Sequence, residues 1–409
     1  MHGRSGQQEW WRELPVLSRR LLRSPQKGER LMAFSSLADS SAVQVRMCRA
    51  EEREAANAFH NAAFGDDRTM TEWMWEFANG PYGPAIFGVA ELDGAILGTH
   101  ALLPVSLMWR GREFAAAKNE ETLVAQELRG TGVGRRLFQF CFEEARTRGL
   151  TAAWGFTTAR LRPWIRAGYS VPGKARYGLL VLDAKATSGL VRGWSGKTRG
   201  VTRVGRAFAA RAGAFAGAGY AVAASRWGRL RSVAGITLQE VRSADERFDQ
   251  LWSRYSGTLQ SCTIVRSAEY LAWRLFDNPN VDVLVLMAEH GKEPVGYVAL
   301  SFSRKDRSAQ ITDLCVVPEF YDEVAGLLLA ESIDVARARG VACLFSWVGS
   351  FRNAEVRRYS LCLARHGFAF LPMGIPMQLA TLAGDGAEKV LPGSMEDWFI
   401  TLLFSQGRD

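Results

Sequence analysis

Acidic residues are missing from one long stretch of this 409-residue chain: between Asp183 and Glu240 there are ten Lys or Arg and no Asp or Glu. The formal net charge of +9 therefore resides in that stretch, and the rest of the chain is close to neutral. Such a distribution gives the folded parts no nucleic-acid footprint, and no nucleic acid is expected as a partner. Cysteine and histidine are sparse as well. The six cysteines (Cys48, Cys141, Cys262, Cys315, Cys343, Cys362) lie far apart with no CxxC, and the five histidines (His2, His60, His100, His290, His366) are isolated. No disulfide framework or metal site is expected from that spacing, and reduced, buried thiols of a cytoplasmic protein are. No apolar run follows Trp10, Trp11, Arg19, Arg20 and Arg23, so no signal peptide is expected. The longest charge-free stretch of the basic segment, 212–225, falls short of the roughly 20 residues that span a bilayer, and no transmembrane helix is expected.

What is present is enough chain for two domains, with an ordinary apolar fraction of 47%. Residues 43–49 alternate as a strand does, 51–64 carry apolar residues at helical spacing, and a helix over 71–77 stops at Asn79-Gly80-Pro81. Residues 86–92 and 95–109 flank an Asp93-Gly94 turn and read as an antiparallel hairpin. A strand over 114–124, a strong helix over 132–148, a buried strand over 151–157, a helix near 161–167 and a strand after Tyr169 complete the unit.

That unit recurs. Trp73-Met74-Trp75-Glu76-Phe77 before Asn79 and Pro81 matches Leu271-Ala272-Trp273-Arg274-Leu275 before Asn278 and Pro279. Gly98 matches Gly296, Ala145-Arg146-Thr147-Arg148-Gly149 matches Ala336-Arg337-Ala338-Arg339-Gly340, and Ala167-Gly168-Tyr169 matches His366-Gly367-Phe368. The order is kept at offsets of 191 to 199 residues, so the chain carries two copies of one fold. The expected division is an N-terminal extension (1–42), a first copy (43–183), a basic connector (184–235) and a second copy (236–409). The connector reads as a solvated linker, although its mixture of Arg with Phe208, Phe215, Tyr220 and Trp227 permits weak contact with an anionic membrane surface.

Where the fourth strand gives way to a helix stands Leu123-Val124-Ala125-Gln126-Glu127-Leu128-Arg129-Gly130-Thr131-Gly132-Val133-Gly134-Arg135-Arg136-Leu137. Glycines there allow the backbone to approach a diphosphate, and a helix N-terminus attracts it. In this motif the sequence resembles the GNAT acetyltransferases, whose acyl-CoA loop has the form Arg/Gln-x-x-Gly-x-Gly/Ala, matched by Arg129, Gly132 and Gly134. The resemblance covers residues 43–183 well and 236–382 loosely. It implies two tandem α/β folds of the α+β kind, each a mixed, mostly antiparallel twisted sheet flanked by helices. It also implies an acyl-CoA donor, acetyl-CoA first, held by Leu123, Val124, Arg129, Gly130, Thr131, Gly132, Val133, Gly134 and Arg135. In the second copy Tyr321, Asp322, Glu323 and Val324 replace Arg129 to Gly132, which sets carboxylates where phosphates would lie, so the donor is assigned to the first copy alone.

The family's usual chemistry is direct attack of an amine on the thioester. The resemblance implies that the Val124 amide supports the oxyanion and that a strand carboxylate takes the amine proton. Glu120 and Glu121 fill that place, and strand alternation leaves room for only one of them in the cleft. The family's tyrosine acid is replaced by Trp164, with Tyr169 read as core; a thiol of pKa about 8.5 departs without help. Trp73 and Trp75 are candidates for substrate contact. The expected function is acetyl transfer to a primary amine of a small molecule, an aminosugar being the first guess. A longer-chain acyl or aminoacyl transferase on the same scaffold, and a non-catalytic CoA-binding sensor or scaffold, are the alternatives.

Overall fold

The computed structural model describes residues 41–187, 234–382 and 391–405. The first copy runs β1 (Gln44–Met47), α1 (Arg53–Phe64), α2 (Met70–Phe77), β2 (Ile86–Leu92), β3 (Ala95–Trp109), β4 (Arg112–Val124), α3 (Val133–Thr147), β5 (Ala152–Phe156), α4 (Arg162–Arg166) and β6 (Ser170–Val181). The second repeats the order: β7 (Ile236–Val241), α5 (Glu246–Ser256), a short β8 (Thr263–Ile264), α6 (Ala268–Leu271) with a π-helical turn over Ala272–Phe276, then β9 (Asp282–His290), β10 (Glu293–Phe302), β11 (Ser308–Val316), α7 (Tyr321–Ala338), β12 (Cys343–Val348), α8 (Ala354–Arg365) and β13 (Ala369–Thr381). The elements read from sequence for the first copy are all present, and the internal repeat is a structural one. Residues 1–40, most of the basic connector and its membrane reading lie outside the described residues.

All thirteen strands join one sheet in the order β1-β2-β3-β4-β5-β13-β6-β12-β11-β10-β9-β7, with β8 on β3. The centre of that order is an exchange. The last strand of the second copy, β13, pairs with β5, while β6 pairs with β12 and with β13 itself. Each copy thus completes the sheet of the other.

Helix packing follows from side-chain spacing. On α3 the buried residues Val133, Leu137, Phe138, Cys141, Phe142 and Ala145 fall at helical intervals and cover one face of the first half-sheet. On α2, Trp73 and Phe77 turn inward against Phe87, Ala101 and Leu103 on the opposite face. The copies meet at Trp75 and Trp273, 198 positions apart, whose rings stack with centroids 5.2 Å apart. The Trp75 Nε1–H donates to the Trp273 carbonyl (2.8 Å), and the Trp273 Nε1–H donates to the Trp75 carbonyl (2.9 Å). That reciprocity is what a pseudo-twofold axis between duplicated units requires. The terminal segment 391–405 is buried with Trp398 and Phe404 in the main core, and it brings Ser405 back to β4.

Candidate active site

Strands β4 and β5 pair in parallel only at Ala117–Ala153 and Lys118–Trp154, and beyond those rungs they separate into a wedge. Val124 stands on its open edge. It faces Gly98 on β3, and the Ala125 N–H donates to the Leu97 carbonyl at 2.8 Å, so Val124–Gly98 is a non-hydrogen-bonded rung. A residue on such a rung directs its own N–H and C=O away from that partner strand. The Val124 amide therefore faces the wedge, and its carbonyl accepts a 3.0 Å bond from the Arg129 Nε.

The glycine turn follows. Gly130 and Gly132 adopt φ of 89° and 95°, left-handed values that favour glycine, and Gly132 is the N-cap of α3. No side chain caps this helix and its first turn holds no acid, so the free amides of its first turn, with Gly134 and Arg135 at the surface and Val133 buried, form a positive helix end. These residues fit a diphosphate. The matching turn of the second copy is closed from within. There α7 begins earlier, with Asp322 and Glu323 in its first turn. Arg358 from α8 covers that end, pairing with Asp322 at 3.1 Å, donating to the Pro318 carbonyl and lying over the Tyr321 ring.

The two carboxylates of β4 depart from strand alternation. The β3–β4 register slips between Thr99 and Ala101, and Glu121 takes φ +51° as the bulged residue. Glu120 pairs with Ala101, whose side chain lies in the α1–α2 layer, and Glu121 turns to the same layer, so the bulge puts both carboxylates on one face. The expectation of opposite faces fails for that reason.

Their partners differ. Glu121 accepts from Arg68 Nη1 (2.9 Å) and Nη2 (3.2 Å) and meets His60 Nδ1 at 3.0 Å. Burial pushes its carboxyl up, but the His60 hydrogen bond and the Arg68 charge outweigh this and hold it below the usual carboxylate range. The second copy repeats the arrangement: Arg266, like Arg68 the residue before a helix N-cap, grips Asp313 at 2.7 and 3.0 Å. Glu120 instead meets the Lys118 ammonium, which also donates to the Ser405 carbonyl at 2.8 Å. Burial pulls the Lys118 pKa down, with Glu120 opposing it. Arg274 of the second copy donates to the same Ser405 carbonyl at 3.3 Å.

The loop and the two glutamates named from sequence lie along the wedge, and the side chains and carbonyl that surround the glutamates, from His60, Arg68, Lys118, Arg274 and Ser405, were not among the residues named. Only the Arg68–Arg266 correspondence, one repeat apart, carried a signal. Trp73 lies in the core against Phe77 and Phe87. Trp75 lines a surface cleft of about 730 Å³ on the pseudo-twofold, with Met70, Met74, Trp273, Glu269 and Asp277. Because α2 turns Trp73 and Phe77 toward β2 and β3, it stands between that cleft and this part of the sheet. Tyr169 is buried, its hydroxyl donating to Asn119 Oδ1, and Trp164 packs against it. Among the described residues no His, Cys, Asp or Glu group could hold a metal, and no helix is long and apolar enough to cross a membrane.

Residues 44–171 match the family described as acetyltransferase (GNAT) domain, and residues 246–362 match the acetyltransferase (GNAT) family. No curated protein sequence is matched. Among solved structures, a GCN5-related N-acetyltransferase from Anabaena variabilis superposes with a TM-score of 0.55 at 14% identity, over 83% of this chain and 73% of the other. Saccharomyces cerevisiae N-myristoyltransferase with bound myristoyl-CoA gives 0.54 at 11%, over 85% and 82%. A tandem GNAT protein from the clavulanic acid biosynthesis pathway gives 0.50 at 15%, over 84% and 99%. With two matched domains spanning more than half of its length and a wedge that ends in a glycine turn, the chain belongs to the GNAT acyltransferases, as a member with tandem GNAT domains.

Proposed function

We propose that the protein transfers a short acyl group, acetyl or a few carbons longer, from acyl-CoA to a primary amine of a small molecule, and that the first copy alone binds the donor. The observation that carries this is the wedge itself: the Val124 amide on its open edge and an uncapped helix end where the diphosphate would lie. Acyl-CoA supplies an activated thioester. Gly130, Gly132, Val133, Gly134 and Arg135 line the diphosphate end, while Leu123 and Val124 line the pantetheine edge. Arg129 would leave the Val124 carbonyl as the donor enters. A short acyl group is favoured because the wedge closes at Lys118–Trp154, with Trp154 fully buried against Phe404.

Of the two glutamates, Glu120 is the better base. Glu121 is tied into an Arg68–His60 cluster, and its Arg–carboxylate pair recurs as Arg266–Asp313 in the second copy, to which we assign no donor, which favours a structural role for Glu121. Glu120 lies on the face that the amine must approach, held by Lys118. The amide of Val124 supports the developing oxyanion. With Tyr169 engaged by Asn119, the thiolate leaves unaided. The closed turn under Arg358 argues against a second donor site. An aminosugar is the first acceptor to try.

Calorimetric titration with acetyl-CoA tests the donor site. Gly132→Glu places a side chain at φ 95° and a carboxylate at the diphosphate end; it should abolish binding that the wild type shows, and equal binding by both proteins would remove the assignment.

A further inference from the structure

The first residues beyond the last β4–β5 rung are Asn119 and Gly155, at the closed end of the wedge. Gly155 pairs on its other side with Gln378 of β13, so the strand exchange brings a second-copy side chain to this point. The missing Cβ matters here. A Cβ on Gly155 would stand 2.9 Å from the Asn119 Cβ and 3.1 Å from its Nδ2, so only glycine lets Asn119 lean across β5. Gln378 lies on the same side of the sheet, since Ala380, two residues on, packs with Ala153, Trp164 and Tyr169 beneath α3 and α4.

These amides are fully or nearly buried, yet Asn119 Nδ2 and both polar atoms of Gln378 have no hydrogen-bond partner. On β3, opposite the bulge, His100 meets Thr122 Oγ1 through Nδ1 at 2.8 Å and leaves its buried Nε2 equally unmatched. Buried amides normally find partners, and four unmatched atoms in one neighbourhood point to a ligand that supplies them. The groups are neutral, the His100 imidazole being held to a pKa of about 3 by burial, and a carboxylate would meet no countercharge from them. Tyr169 donates to Asn119 Oδ1, which leaves Nδ2 to donate and Gln378 Oε1 to accept.

We propose that the donor's acyl chain carries a neutral hydrogen-bonding substituent, a hydroxyl or amide, recognised by Asn119 and Gln378. This rests on the acyl-CoA reading, because a thioester lying along β4 with its diphosphate at the glycine turn directs its acyl end to the closed end of the wedge. The hydroxyl accepts from Asn119 Nδ2 and donates to Gln378 Oε1, and an unsubstituted chain leaves both desolvated and unmatched.

Titration calorimetry on the whole protein with 3-hydroxybutyryl-CoA, butyryl-CoA and free CoA tests it. The hydroxylated thioester should bind at least about tenfold more tightly than butyryl-CoA. Gln378→Leu should erase that ratio, keep free CoA binding and raise the Tm, because an unmatched buried amide is gone; Gln378→Met is a second apolar replacement for the same comparison. Equal affinities in the wild type, or a ratio unchanged in both variants, overturns the proposal and leaves the acyl-CoA reading standing. Failure of all three ligands, free CoA included, overturns that reading and this proposal with it.

Discussion

Glu120 and Glu121 are adjacent in sequence and share one face of the sheet, yet their carboxylates meet different partners. Glu121 sits at φ +51°, a conformation costing a non-glycine residue about 1–3 kcal/mol, and the Arg68 and His60 contacts hold it there. Glu121→Gln leaves Arg68 buried without its countercharge, and a loss of about 3–5 kcal/mol is expected in denaturant unfolding. The sign with pH follows. The folded carboxyl lies below its unfolded value of about 4.3, so its stabilisation is present above that value and fades as pH falls through the folded pKa. Tm measured below about pH 4.5 should therefore fall more steeply for the wild type than for Glu121→Gln. Glu120→Gln also removes a countercharge, that of Lys118, so some stability is lost there too; what sets it apart is a kcat lowered by about 10²–10⁴ in a thiol-release assay on the folded variant. An unaltered kcat in that variant would remove Glu120 as base.

At the scale of elements, the junction of β4 with α3 was the most legible part of the chain. Glycine spacing, the absence of acids in the first helical turn and the preceding strand are local properties, and Gly130, Gly132 and α3 lie where they imply. The bulge was not legible. Nothing in Asn119-Glu120-Glu121-Thr122 announces an extra residue, and the slip accompanies a buried contact with Arg68, which comes from another element. The same limit applies to Lys118, whose ammonium is placed by the Ser405 carbonyl 287 positions away. In the second copy, by contrast, the acids at Asp322 and Glu323 were legible as carboxylates where phosphates would lie, and only their partner, Arg358, had to be found in space.

Among the described residues the strands form one sheet rather than two sheets side by side. Because β5 is covered by β13 and β12 by β6, neither copy owns a complete edge. A chain ending at residue 187 would expose the β13-facing edge of β5 together with the surface that Trp273 covers, and such an edge invites association. We expect that fragment to lack near-ultraviolet circular dichroism and to aggregate in sedimentation runs, and co-expression with 234–409 to restore a soluble pair. A folded, monomeric fragment would count against interdependence of the copies.

What the sequence determined by itself was the duplicated unit, its order of elements and the glycine turn, because hydrophobic period, turn chemistry and cap composition act within a few residues. Which strand neighbours β5, which face Glu121 takes and which side chains gather at Asn119 were decided only in three dimensions. Those outcomes depend on contacts hundreds of positions apart, whose free energy is realised only once both copies have packed around a common axis.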